Sequence, residues 1–139
     1  VVLYVSESEM IERFGQGLSK SAARAKEFLT VSQDKKPKTF VDFIDGIKVA
    51  AGSSHQLAHA QENPRWLEVR DYLEGVIELG QNLPTLSTEK TSKLWLQIES
   101  NLLNMREIGI KMARARPMSR NDVLANLSLR ELNKVNHTP

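Results

Sequence analysis

The sequence predicts an all-α fold, an up-and-down bundle of four main helices followed by a shorter C-terminal fifth. Apolar residues recur at steps of three and four in several segments, most clearly Trp95, Ile98, Leu102, Met105, Gly109 and Met112. On a helix that spacing gathers side chains into one stripe. The segments are joined by short polar or proline-containing connections, which place consecutive helices antiparallel. No internal repeat or low-complexity tract favours a solenoid.

Each element has its own signals. The opening Val1-Val2-Leu3-Tyr4-Val5 is β-prone and reads as a short strand or a truncation remnant; it is too short for the apolar core of a signal peptide. Ser6 followed by Glu9 has the spacing of a capping box and opens the first helix, whose inner face is Ile11, Phe14, Leu18, Ala22, Ala25 and Leu29. Gly15 and Gly17 within it lower helix propensity and permit a bend or close packing. Residues 34–38 form a polar connection. The second helix is expected from Thr39, with Phe40, Ile44, Ile47, Ala51, Ser54 and Ala58 inward, and with the small residues of 50–54 allowing a neighbour close approach.

Asn63-Pro64 ends the second helix and starts the third, because asparagine caps and proline suits the first helical position. Trp66, Val69, Leu73 and Val76 make the third stripe, flanked by Tyr72 and Leu79, and Gly80 supplies the expected stop. Ser87 caps the long fourth helix, which runs to about Ala115 before Pro117. Ser119 with Asp122 caps a fifth helix carrying Val123, Leu124, Leu127, Leu132 and Val135; within 117–139 it either docks on the bundle or extends from it.

The 139 residues, 40% of them hydrophobic, suffice for one core and one domain spanning 1–139. The chain has no cysteine, which excludes disulfides, thiolate metal sites and a cysteine nucleophile, and favours a cytoplasmic location. No stretch approaches the roughly 18 apolar residues of a membrane span. A membrane partner is therefore not expected.

The net charge is only +2, but it is unevenly distributed: from residue 103 onward there are seven Lys/Arg against three Asp/Glu, and before it twelve against fourteen. Lys111, Arg114, Arg116 and Arg120 form the basic run, suited to an acidic protein face or to phosphates. No aromatic residue interleaves it, as a platform for single-stranded nucleic acid would require. Glu68, Asp71, Glu74 and Glu78 form a complementary acidic face on the third helix.

His55 and His59 stand four apart with Glu62 one turn on, a spacing that permits a shared metal ion. Gln56 occupies the place where a zinc protease helix carries its catalytic glutamate, so that chemistry lacks its base. The segment His55-Gln56-Leu57 resembles the His-x-Leu start of histidine phosphotransfer domains, small helical bundles that present one exposed histidine to a response regulator. That resemblance implies a phosphoryl-accepting role for His55. The family's following lysine and glycine are replaced by Ala58 and His59, removing the group that screens the phosphoryl charge.

No Gly-x-Ser-x-Gly elbow, phosphate-binding glycine loop or dinucleotide fingerprint occurs. The expected class is a non-enzymatic interaction module without a cofactor, an adaptor, assembly factor or inhibitor that binds another protein or a second copy of itself. A nucleic-acid-binding regulator using the basic run is the alternative, and a metal-binding or phosphotransfer bundle using His55 is the third.

Overall fold

The computed structural model describes residues 5–83 and 88–115. Four helices account for most of them: α1 (Glu7–Phe28), α2 (Lys36–Ala60), α3 (Arg65–Asn82) and α4 (Thr88–Arg114). Among the described residues there is no strand. Residues 1–4, where a strand was one expectation, and the segment expected to form a fifth helix lie outside the described residues, as does Ser87.

Local chemistry fixes the ends. Ser6 Oγ accepts the amide of Glu9 at 3.1 Å, satisfying one of the unpaired donors at the start of α1. The carboxylate of Glu9 is engaged by Arg13 one turn on, at 3.1 Å. α2 begins at Lys36, three residues before the Thr39 that the sequence suggested, with Pro37 in its first turn. Proline is tolerated there because its missing amide would have had no helical partner. Glu62, with φ of 49°, turns the chain after α2, and Asn63 Oδ1 accepts the amide of Arg65 at 3.1 Å to start α3. Gly80 does not stop α3, which continues to Asn82. It lies buried within the helix where a Cβ would stand 3.1 Å from Phe43, so it serves a helix contact and not a terminus.

Directions follow from contacts at both ends. Phe14 of α1 meets Trp66 near the start of α3 in an edge-to-face pair, ring centroids 5.1 Å apart. At the other end, Trp95 of α4 lies 4.6 Å from Phe28 and 4.8 Å from Phe43 between centroids. These pairs set α1 and α3 running one way, α2 and α4 the other. The helices surround one buried cluster to which all four contribute, including Leu18, Ile47, Leu73 and Leu102. The four predicted stripes are buried or half-buried; Phe43, Ala50 and Leu57 join the core from positions that the predicted α2 stripe omitted.

Around the cluster α1 has α2 and α4 as neighbours, and α3 has α2 and α4. The α1–α2 interface is the most extensive, because Gly17 and Gly46 let the backbones approach: a Cβ on Gly17 would lie 2.6 Å from the carbonyl oxygen of Gly46. The interface between α3 and α4 is much the thinnest. No helix among the described residues is long and apolar enough to cross a membrane.

Candidate functional site: the groove between α1 and α4

α1 and α4 pack in opposite directions and leave between them a groove of about 570 Å³, lined by Ile11, Gly15, Ser19, Arg106, Ile110 and Arg114 among others. The absence of a side chain at Gly15 opens its floor: a Cβ there would meet only Arg106 Nε at 3.5 Å and Ile110 Cδ1 at 4.0 Å. Arg106, Ile110 and Arg114 follow one another at four-residue steps, so two guanidinium groups flank one apolar side chain along the groove. Arg106 Nε is buried with no hydrogen-bond partner, and neither arginine takes part in an ion pair among the described residues. An unsatisfied buried donor costs roughly 1–3 kcal/mol. Glu12, at the rim, already accepts a hydrogen bond from Gln16 at 3.1 Å.

The predicted basic run is divided by this geometry. Arg114 lines the groove, Lys111 is exposed on α4 outside the groove lining, and Arg116 and Arg120 fall outside the described residues. Arg106, in the interior of α4, lies outside the helix-end pattern that singles out the basic run. A charged residue inside an otherwise apolar stripe region was the available signal.

The acidic face is divided as well. Glu68 and Glu78 are exposed, Asp71 pairs with its neighbour Arg70 at 2.9 Å, and Glu74 lines a second cleft between α2 and α3. That cleft also contains His55, whose Nδ1 lies 2.9 Å from Arg70 Nη1. Arginine only donates, so in this contact His55 Nδ1 is the acceptor. The adjacent guanidinium disfavours a cation at that nitrogen. His59 stacks edge-on against His55, centroids 5.3 Å apart. Glu62 has left the helix in the turn that follows it, and the described residues include no cluster of three or more His, Cys, Asp or Glu placed to hold a metal ion.

Searches against protein-family models, curated proteins and solved structures found no match. The functional reading therefore rests on the geometry.

Proposed function

We propose that this chain is a non-enzymatic interaction module, an adaptor, assembly factor or inhibitor acting in the cytoplasm, whose α1–α4 groove receives an acidic, partly apolar segment of another protein. The observation that carries the reading is the pair of unpaired guanidinium groups, Arg106 and Arg114, on either side of Ile110. Leu96 and Leu103, about half exposed on the same side of α4, extend the apolar surface beside the groove. Attraction between opposite charges orients the encounter and burial of the apolar side chains holds the complex. Arginine suits the role because its planar fork binds a carboxylate through two hydrogen bonds.

The same cations, continued by Lys111, Arg116 and Arg120, suit phosphates, and this keeps a nucleic-acid-binding regulator as the second reading. The test is affinity capture from the source cell, with and without nuclease, comparing the native chain with the Arg106→Gln/Arg114→Glu variant. A nuclease-resistant protein partner lost in that variant is the expected result. Recovery of nucleic acid whose binding falls steeply with salt, or a protein partner retained by the variant, overturns the assignment.

A further inference from the structure

The thin interface between α3 and α4 exposes an apolar seam. On α3, Arg70, Glu74 and Ile77 face α2 across their shared cleft. At 100° per residue Tyr72 and Leu79 fall on the opposite flank of the buried stripe, toward α4, and each is 38% exposed. On α4, Arg106, Ile110 and Arg114 face α1, so Met105, Ile108 and Met112 fall on the flank toward α3. Met105 and Met112 are half-buried and Ile108 is 41% exposed. The seam is closed at its ends, where Trp66 packs beside Gly109 and Thr91 Oγ1 donates to the Leu83 carbonyl at 3.5 Å. Between those ends these apolar side chains are partly exposed among the described residues.

We infer that this seam is the docking site of the chain's own C-terminal segment, residues 116–139. Three observations on this chain select that occupant. The first is position: Gln61 Nε2 donates to the Ala113 carbonyl at 3.4 Å while Gln61 Oε1 accepts from Trp66 Nε1 at 2.9 Å, so α4 ends beside the first turn of α3. A chain leaving Ala115 and turning at Pro117 enters the seam at that end, running parallel to α3.

The second is length and pattern. As a helix, 119–135 spans about 26 Å and the 18 residues of α3 span about 27 Å. Val123, Leu124, Leu127 and Val135 then share one broad face of that segment. The third is charge. Residues 116–139 carry four Lys/Arg against two Asp/Glu, whereas α3 carries four Asp/Glu against two Arg. Glu68, exposed on the Tyr72 flank, stands along the seam's α3 edge.

The chain lacks cysteine, which makes disulfide trapping in the full-length protein direct. Leu79→Cys is paired with Val135→Cys, and the control pairs Val135→Cys with Leu103→Cys, an exposed position on the α1 side of α4. Under mild oxidation the first pair is expected to close within one chain about tenfold faster than the control, as a high effective concentration requires. A second measurement is independent of cysteine geometry: Leu124→Glu/Leu127→Glu in the full chain is expected to raise binding of an apolar fluorescent dye while the far-ultraviolet signal of α1–α4 is kept. A disulfide formed only between two chains assigns the seam to a second copy and overturns the inference. Equal closure in both pairs, no closure in either, or unchanged dye binding overturns it as well. Partner capture at the α1–α4 groove is a separate measurement, so the failure of one proposal does not count against the other.

Discussion

Gly17 and Gly109 are glycines because of what stands opposite them. A Cβ on Gly17 would lie 2.6 Å from the Gly46 carbonyl oxygen and 3.2 Å from the Ala50 amide, both backbone atoms fixed in α2. A Cβ on Gly109 would collide with the ring of Phe14, itself held against Trp66. Gly52 and Gly75 meet nothing within 4 Å. Alanine at those open positions gains about 0.5–1 kcal/mol of helix propensity without a clash. At Gly17 or Gly109 that gain is outweighed by overpacking of about 1–3 kcal/mol or more. Chemical denaturation of the four single alanine variants is therefore expected to raise the midpoint for Gly52 and Gly75 and lower it for Gly17 and Gly109. The sequence predicts close packing at Gly17 and a close approach along residues 50–54 of α2, of which Ala50 takes part. The approach centres on Gly46 and Ala50, and Gly52 faces open space. Helical spacing says which residues share a face; it does not say which turn of that face meets the crossing helix.

At the scale of the elements, one side chain joins all four helices at one end of the molecule. Gln61, 1% exposed just after α2, donates to Glu7 of α1 at 2.7 Å and to the Ala113 carbonyl of α4, and accepts from Trp66 of α3 at 2.9 Å. Gln61→Leu fills similar space but leaves the Trp66 indole N–H and the Glu7 carboxylate without this partner. The buried Trp66 N–H left unsatisfied costs about 1–3 kcal/mol, and the variant is expected to lose about that much by equilibrium unfolding. A loss under about 0.5 kcal/mol, the range of an ordinary surface change, counts against the joint. Gln61 was not legible in the sequence. A polar residue before Glu62-Asn63-Pro64 has the composition of a solvated turn, and its burial results from three elements arriving around it. The stripes of α1, α3 and α4 were legible because a 3.6-residue period is a local property. The α1–α4 groove was not, because it depends on which helices become neighbours and on the unpaired state of Arg106. The tie between His55 and Arg70, fifteen residues apart, was hidden for the same reason.

For the molecule as a whole, the question is whether the two aromatic centres unfold together. Trp66 sits with Phe14, Gly109 and Gln61 at one end, and Trp95 sits with Phe28, Phe40 and Phe43 at the other. Each tryptophan is essentially fully buried, so each reports its own end by fluorescence. Between them runs a continuous column of buried residues, Leu18, Ala22, Ile47, Ala50, Leu73 and Leu102, drawn from all four helices. Loss of either end exposes that column, so opening one end removes the packing that holds the other, and cooperativity follows from the shared core. The Trp66→Phe and Trp95→Phe variants each leave one tryptophan, and both replacements keep a ring in place. Each variant loses stability, so the comparison is made within a variant, between its remaining tryptophan and the far-ultraviolet helix signal. In both variants the fluorescence and helix transitions are expected to coincide in midpoint and slope. A Trp95 transition that precedes loss of helix, while that of Trp66 does not, would divide the Trp95 end of the molecule from the Trp66 end. The α1–α2 contact at Gly17 and Gly46 argues against that division, because it passes through the middle of both helices and ties the two ends to one backbone crossing.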